Sequence, residues 1–166
     1  MKKLLLYSGP ATAPYGNDQV DPWIRVDNDA SVNPDVISYV PPIPSSLAGP
    51  WDRIALIHGI EHCYPWDALA LIADIHKILV PGGIAIFEQP NLTKCAEHAS
   101  SKDAARVRFG LQGLFGDPSS VGMMHHWAYS PETLGALLRQ HGFSRIAVKA
   151  ALFHVPDRDF RIEATR

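Results

Sequence analysis

The stretch WDRIALIHGIEH, residues 51–62, sets four consecutive apolar side chains before a histidine, a glycine and a charged pair. The near-continuous apolar run at residues 54–57 is typical of a strand that is buried on both faces, as in a parallel sheet covered by helices. We therefore predict a central strand over residues 53–58, with a turn where the run ends at Gly59.

Short apolar runs and helical patterns alternate on either side of this stretch. Further strands are predicted over residues 3–7, 23–27, 35–40 and 84–88, each bounded by Gly, Pro or polar residues. A helix is predicted over residues 66–79, and its sheet-facing side chains recur at three-to-four-residue spacing: Leu69, Ile72, Ile75 and Leu79. Pro81-Gly82-Gly83 ends it. The alternation predicts an α/β fold with a doubly wound, mainly parallel sheet.

The C-terminal part predicts one more helix and a hairpin. Ser130 is a typical helix N-cap and Pro131 suits the first helical position, while Gly142 suits the left-handed position after a helix. Apolar residues then alternate with polar neighbours in two segments, Ile146 and Val148 in one, and Phe160, Ile162 and Ala164 in the other. We expect these segments to pair antiparallel at one edge of the sheet.

The pattern is weaker over residues 91–129. A short helix is predicted over residues 102–109. Residues that interrupt regular structure follow it: Gly110, Gly113, Gly116, Pro118 and Gly122. They predict a long irregular connection, and connections of that length in compact domains are usually functional or mobile.

Size and charge narrow the class of protein. The 166 residues, 46% of them hydrophobic, suit a single domain. A net charge of −2 offers no basic stripe, so we expect no nucleic-acid partner.

The apolar run at residues 4–6 is too short for a leader, and no run reaches the about 20 residues that span a bilayer. Cys63 and Cys95 lack the spacing of a metal site, and together with the missing leader this predicts a protein of the reducing cytoplasm. Because no run is long enough to span a bilayer, we expect no membrane partner.

Three motifs carry a family resemblance. Residues 51–62 resemble the strand and turn that run from D-x-I to h-x-x-E-H in small class I S-adenosylmethionine-dependent methyltransferases of the type 11-like group. Residues 78–83 are similar to the family's x-L-x-P-G-G turn, and residues 129–143 to its final helix with a G-F ending. The resemblance covers residues 51–166 and implies a Rossmann-like methyltransferase fold with S-adenosylmethionine as the cofactor.

The resemblance also implies a cofactor site at the ends of the first, second and fourth strands. Ser8 and Gly9 stand at the family's Gly-rich loop, where a missing Cβ lets the backbone approach the cofactor closely. Asp27 fits the acidic position after the second strand, whose carboxylate can accept hydrogen bonds from ribose hydroxyls. The interval between them is too short for a normal first helix, which we expect to be shortened or missing.

Three more residues are cofactor-site candidates. His58 and Gly59 fall where the fourth strand opens onto the cofactor in relatives. Tyr39 is placed to flank the adenine, and the alternative is an ordinary tyrosine buried in the third strand.

An acceptor site is predicted just before the last helix. His125 and His126 are the candidate general bases, because imidazole titrates near neutral pH. Met124, Trp127 and Tyr129 lie close by in sequence and are the candidate substrate-binding residues. Ordinary surface or core roles are the alternative for each histidine. We expect no metal at the His58-x-x-x-His62 pair, which has helix-type ligand spacing in a strand-to-loop context.

Two functions of different classes remain open. One is an active methyltransferase for a small-molecule or modest polar acceptor, favoured by Asp27, Glu61-His62 and Pro81-Gly82-Gly83. The other is an inactive methyltransferase-like binding or scaffold protein, favoured by the degenerate Gly-rich loop, which could dock on a partner or form a homo-oligomer. The sequence shows neither a nucleophile elbow nor a Walker phosphate loop, so hydrolases and NTPases are excluded.

Overall fold

The computed structural model describes residues 1–7, 22–119, 122–153 and 155–166. Within these residues one sheet contains β1 (Lys3–Leu6), β2 (Trp23–Asp27), β3 (Val36–Ile37), β4 (Trp51–Ile57), β5 (Leu79–Pro90), β6 (Ser144–Ala150) and β7 (Asp159–Thr165). The strand order is β3-β2-β1-β4-β5-β7-β6. Strands β1 to β5 pair in parallel, whereas β7 pairs antiparallel with β5 and β6. The predicted mainly parallel sheet and the C-terminal hairpin at its edge are confirmed, while the predicted loss of the first helix falls outside the described residues.

Helix α1 (Pro65–Ile78) packs an apolar face into the core. Its buried side chains recur at helical spacing: Ala68, Leu71, Ile72, Ile75 and Ile78. The prediction that Leu69 belongs to this face is wrong, since Leu69 is 40% exposed. Ala68 and Leu71 are fully buried and belong to the apolar stripe that faces the core.

Pro81-Gly82-Gly83 does not separate α1 from β5 as predicted. Strand β5 begins at Leu79, directly after α1, and the three residues form an irregularity within it. Trp51 pairs with Leu79 but Arg53 pairs with Ile84, so β5 carries extra residues at this point. Gly82 has a φ of +79°, which suits glycine in a bulge as well as in a turn.

Two helices occupy much of the region for which an irregular connection is predicted. They are α2 (Leu92–Ala99) and α3 (Ala104–Phe115). A Cβ on Gly110 would lie 2.4 Å from the backbone nitrogen of Ala99, and one on Gly113 would lie 2.4 Å from Sγ of Cys95. These glycines therefore allow α2 and α3 to cross closely, and the expectation that they interrupt the helix is wrong.

The last helix, α4 (Pro131–Gln140), begins where the sequence predicts. The Ser130 side chain accepts a hydrogen bond from the Thr133 N–H at 3.2 Å, and the Thr133 hydroxyl accepts one from the Ser130 N–H at 2.9 Å. This reciprocal pair is a capping box, which satisfies two otherwise unpaired N–H groups. Gly142 follows with a φ of +90°, as predicted for the residue after the helix.

Strand β3 is much shorter than the predicted strand over residues 35–40. It pairs with β2 only through Val36 and Ile37. Pro41 and Pro42 follow closely, and neither can donate a hydrogen bond to a neighbouring strand. The chain therefore leaves the edge of the sheet after Ile37.

Apolar side chains cover both faces of the sheet. The larger cluster joins the strands to α1 and α4, and it includes Leu4, Leu6, Ile54, Leu56, Leu71, Ile75, Phe87 and Leu134. A smaller cluster on the other face contains Leu5, Trp23, Ala55, Ile57 and Ile86. In the described part of the chain, no helix has the length and apolar character that a bilayer crossing requires.

Candidate active site

The carboxyl ends of β1, β2 and β4 lie side by side at one edge of the sheet. Strand β1 lies between the other two, and Leu6 pairs with Val26 on one side and with Leu56 on the other. The next residues along the chain therefore emerge together at the carboxyl edge, where open α/β sheets bind their ligands. This is the edge at which the sequence predicts the cofactor.

Asp27 supplies a buried carboxylate at this edge. It is the last residue of β2, and its Oδ1 accepts a hydrogen bond from the backbone N–H of Asp29 at 2.9 Å. The carbonyl oxygen of Asp27 also accepts from the N–H of Ser38 at 2.9 Å. These bonds orient Asp27 as the strand ends. Ser8 and Gly9, the predicted loop residues, lie outside the described residues.

Gly59 lets the end of β4 pack against the end of β1. A Cβ at Gly59 would lie 2.5 Å from Cδ2 of Tyr7 and 2.6 Å from Cδ1 of Leu56. The Tyr7 hydroxyl donates to the carbonyl of Val40, and burial raises the pKa of Tyr7. Gly59 thus has a packing role, and its contact with a cofactor stays a prediction.

Tyr39 leaves the sheet beyond the end of β3. Its side chain is 75% exposed, so the interpretation as a buried strand tyrosine is wrong. The reason is that β3 ends at Ile37, before Tyr39 could be covered by a neighbouring strand. Its predicted contact with the adenine remains a prediction.

His58 is held between two buried carboxylates. Its Nδ1 lies 3.0 Å from Oε1 of Glu61, and its Nε2 lies 3.5 Å from Oδ2 of Asp159. Burial acts to lower the pKa of His58, but the hydrogen bonds and charges of Asp159 and Glu61 outweigh it and raise the pKa to about 9. The imidazole is therefore positively charged at neutral pH.

The two carboxylates beside His58 are both ionised at neutral pH. Burial acts to raise the pKa of Asp159, but hydrogen bonds from His58 and Arg158 outweigh it and lower the pKa to about 2. Arg158 Nε lies 2.6 Å from Oδ1 of Asp159. For the buried Glu61, burial likewise acts to raise the pKa, and the hydrogen bond and charge of His58 lower it overall. The result is a buried network of alternating charges.

The site residues predicted from the sequence do not include Glu61, Arg158 or Asp159. For Glu61 the E-H motif is a usable signal. No sequence pattern around Arg158 and Asp159 marks them as site residues, because only the pairing of strands brings them to the site. Asp159 lies opposite Pro90, at the end of β5. Strand β5 is the parallel neighbour of β4, which ends just before His58.

The segment around His126 is bound to the backbone of Glu61. The N–H groups of His126 and Trp127 donate to the carbonyl oxygen of Glu61 at 2.8 and 3.2 Å. The imidazole of His126 stacks on Tyr64 with ring centroids 4.2 Å apart, and Tyr64 stacks on Trp66 at 5.0 Å. All three side chains are exposed, so a row of aromatic rings lies on the surface beside the site.

The ring of His125 contacts that of His62, not the Tyr64 ring on which His126 stacks. The ring centroids of His62 and His125 are 4.8 Å apart in an edge-to-face arrangement. Burial lowers the pKa of His125, although the charge of Glu61 opposes the shift. The structure thus brings His125 to Glu61 and His62, and brings His126 to Tyr64 and Trp66.

The three predicted substrate-binding residues are placed differently. Tyr129 is buried, and burial raises its pKa to about 12. Trp127 is half-exposed, and together with Tyr129 it lines a surface cavity of about 460 Å³. The other side chains at this cavity are mostly apolar: Leu92, Ala128, Thr133, Ala136, Leu137 and Gln140. Met124 does not line it, although its carbonyl lies 2.9 Å from Nδ1 of His62.

Solved structures of methyltransferases share this architecture. An S-adenosylmethionine-dependent methyltransferase from Archaeoglobus fulgidus is 16% identical with a TM-score of 0.69, over 99% of this chain and 86% of that one. A Thermotoga maritima enzyme described as a possible histamine N-methyltransferase is 15% identical with a TM-score of 0.67, over 99% and 81%. At these identities the likeness establishes the class of fold, a Rossmann-like methyltransferase fold.

A third structure of this class holds a product of its cofactor. It is the 1,6-didemethyltoxoflavin-N1-methyltransferase of Burkholderia thailandensis, with 1,6-didemethyltoxoflavin and S-adenosylhomocysteine bound. The identity is 14% and the TM-score 0.63, over 99% of this chain and 70% of that one.

Sequence comparison then gives the family. A methyltransferase domain family matches residues 10–148, which is most of the 166 residues. The chain belongs to this methyltransferase domain family, and the predicted class is confirmed. Family and fold together support S-adenosylmethionine as the cofactor. No curated protein sequence matches the chain.

Proposed function

We propose that the protein is an S-adenosylmethionine-dependent methyltransferase that acts on a small-molecule acceptor. The observation that carries the proposal is the position of Asp27, a buried carboxylate that ends β2 beside the end of β1. A carboxylate at that point of a Rossmann-like sheet can accept hydrogen bonds from both ribose hydroxyls of a bound nucleoside. Membership of the methyltransferase domain family makes S-adenosylmethionine the nucleoside concerned.

The proposed cofactor site combines residues from three strand ends. Asp27 binds the ribose, Ser8 and Gly9 supply backbone close to the cofactor, and His58 and Gly59 lie at the end of β4. Tyr39, which is exposed beyond β3, is proposed to flank the adenine. S-adenosylmethionine, when bound, supplies a methyl group on a sulfonium sulfur.

The cavity beside Trp127 and Tyr129 is the proposed acceptor site. Its volume of about 460 Å³ falls within the range of about 300–1,000 Å³ that small-molecule sites show. Its lining is mostly apolar, with polar groups on Tyr129, Thr133 and Gln140 to orient an acceptor. The N–H of Trp127 donates to the carbonyl of Glu61, which joins this cavity to the turn after β4.

The protein's contribution to methyl transfer is mainly positional. Transfer from bound S-adenosylmethionine would require the acceptor atom and the methyl group to be held in line while water is excluded. Where the acceptor carries a proton, His126 is the proposed general base, because its ring is exposed and it directly precedes Trp127, which lines the proposed acceptor site. His125, turned towards Glu61 and His62, is assigned a different role below.

Calorimetric titration with S-adenosylmethionine and S-adenosylhomocysteine tests the proposal. We expect the wild type to bind both, with dissociation constants between about 1 μM and 1 mM. Asp27→Ala should weaken binding about ten- to hundredfold, because it removes hydrogen bonds to a charged acceptor. Asp74→Ala, which changes a carboxylate on α1, is the matched control and should bind like the wild type.

Two results would contradict the proposal. Failure of the folded wild type to bind either compound at about millimolar concentration, the weak end of ordinary Michaelis constants, would leave the inactive scaffold as the function. Transfer of a labelled methyl group from S-adenosylmethionine to protein or RNA in a cell extract, but not to the small-molecule fraction, would overturn the acceptor class.

A further inference from the structure

We propose that Glu61, His62 and His125 form a binding site for a divalent first-row transition metal ion, with Zn²⁺ as the ion that suits them best. Each side chain offers one donor atom, and these atoms all lie within 4.8 Å of one another. The inference goes beyond methyl transfer and does not depend on it.

The three donors come from two segments that hydrogen bonds hold together. Glu61 and His62 lie in a short 3₁₀ turn, Ile60–His62, that follows β4. His125 comes from the segment after α3, and its N–H donates to the carbonyl oxygen of Phe115 at 3.1 Å. The next residue, His126, donates its N–H to the carbonyl of Glu61 at 2.8 Å. Backbone hydrogen bonds therefore fix the positions of both segments that carry the three donor side chains.

Both imidazoles are oriented as metal ligands usually are. Nδ1 of His62 lies 2.9 Å from the carbonyl oxygen of Met124, and Nδ1 of His125 lies 3.0 Å from that of Gly113. A carbonyl can only accept, so each Nδ1 carries a hydrogen, and in the neutral ring Nε2 then keeps the lone pair that a metal ion requires. A hydrogen bond from the second ring nitrogen to a backbone carbonyl is the common outer-shell partner of a metal-binding histidine.

Glu61 provides a buried negative charge whose capacity to accept hydrogen bonds is only partly used. Its Oε1 lies 3.0 Å from His58, but its Oε2 has no hydrogen-bond partner among the described residues. An ionised carboxylate can accept at about four sites, and leaving a buried one incompletely paired is costly. A cation beside the two imidazoles would satisfy the remaining oxygen.

The donor types and spacing select the ion. Two imidazoles and one glutamate, with a further position open to water, is a known ligand set of zinc enzymes. Zinc–ligand bonds of about 2.0–2.2 Å at tetrahedral angles place two ligands of one ion about 3.3–3.6 Å apart. From separations of up to 4.8 Å, side-chain rotations must bring the donor atoms at most about 1.5 Å closer to one another. Hard ions such as Mg²⁺ favour all-oxygen ligand sets and suit the two nitrogens less well.

Cobalt titration of metal-free, tag-free protein tests the site, with Co²⁺ as a coloured substitute for Zn²⁺. We expect one Co²⁺ per chain, a visible d–d absorption, and displacement of Co²⁺ by one equivalent of Zn²⁺. His62→Ala and His125→Ala should each weaken Co²⁺ binding at least about tenfold, since the loss of even an outer-shell partner costs that much. His141→Ala, at the end of α4, is the matched control.

Glu61→Gln removes the charged ligand but also disturbs His58, so it is interpreted only alongside the two histidine variants. Equal Co²⁺ affinity in wild type, His62→Ala and His125→Ala would overturn the site, as would no binding by the wild type at stoichiometric metal. An intense sulfur-to-cobalt charge-transfer band would assign the metal to Cys63 or Cys95 and would overturn it too.

The same proteins separate this inference from the proposed function. Asp27→Ala should lose S-adenosylmethionine and keep Co²⁺, whereas His62→Ala should lose Co²⁺ and keep S-adenosylmethionine. A wild type that binds the cofactor but no cobalt refutes the metal site alone. A wild type that binds cobalt but no cofactor refutes the methyltransferase proposal alone.

Discussion

Nε2 of His58 lies 3.5 Å from Oδ2 of Asp159, which joins the turn after β4 to the first residue of β7. The same ring contacts Glu61 through Nδ1, so one charged imidazole lies between two buried carboxylates. The left-handed backbone of His58, with a φ of +49°, is part of this arrangement, since it occurs where the chain turns out of β4. We therefore expect this buried network to contribute strongly to the free energy of unfolding.

Replacement of His58 should destabilise the fold. His58→Asn suits the left-handed backbone but cannot carry the positive charge, so Glu61 would be left as a buried charge without its partner. We expect a loss of about 3–5 kcal/mol in the free energy of unfolding, measured by urea titration. His141→Asn, an imidazole outside the network, should change it by less than about 0.5 kcal/mol. Equal losses in the two variants would show that the network adds no stability.

Acid should weaken the protein through Asp159. Its pKa is lowered to about 2, so its contribution is fully present above the ordinary pKa of 3.8 and is lost as the pH falls through about 2. The shift corresponds to about 2 kcal/mol. Between about pH 6 and pH 2 the wild type should therefore lose about 2 kcal/mol more unfolding free energy than Asp159→Asn, measured by urea titration at each pH. Parallel pH profiles would contradict this.

Two glycines in helices should respond oppositely to alanine. Gly110→Ala should cost about 1–3 kcal/mol, because the new Cβ would lie 2.4 Å from the backbone nitrogen of Ala99 and would force α2 and α3 apart. Gly135→Ala should be neutral or stabilise by up to about 1 kcal/mol, since its Cβ would meet Ile146 Cγ2 at an ordinary 3.4 Å. Thermal unfolding measures both. A Gly110→Ala protein as stable as the wild type would show that close packing of α2 on α3 does not require glycine at this position.

The proposed base predicts a kinetic effect without a binding effect. For an acceptor that carries a proton, His126→Gln should lower kcat about 100-fold or more and leave the dissociation constant of S-adenosylmethionine unchanged. Steady-state kinetics and calorimetry measure the two quantities. His141→Gln is the control and should match the wild type in both. A change in KM alone would assign His126 to acceptor binding through its stacked ring.

Removal of the helix cap should have a local and modest cost. Ser130→Ala takes away the oxygen that accepts the Thr133 N–H, and we expect a loss of about 1 kcal/mol in unfolding free energy. Ser130→Asp, which restores an acceptor at the same position, should recover most of the loss. A protein equally destabilised by both substitutions would show that Ser130 acts through packing rather than through its hydrogen bond.

Adjacent residues in the sequence illustrate what local patterns cannot resolve. The sequence predicts His125 and His126 as equivalent candidate bases, but their rings contact different neighbours. Nδ1 of His125 lies 3.0 Å from the carbonyl of Gly113, while the ring of His126 stacks on Tyr64. Which neighbour each ring meets depends on where α3 and the turn after β4 lie, and no pattern within the segment encodes it.

The sequence by itself determined the parallel sheet, the start of α4 and the place of Asp27 at the end of β2. Each of these follows from short-range chemistry: buried strands need apolar runs, a helix start needs a capping oxygen, and a strand ends where its run does. The tertiary structure alone decided the contact of His58 with Asp159, the grouping of Glu61 with His62 and His125, and the crossing of α2 and α3. Those contacts join residues far apart in the chain, and strand order and helix packing bring them together.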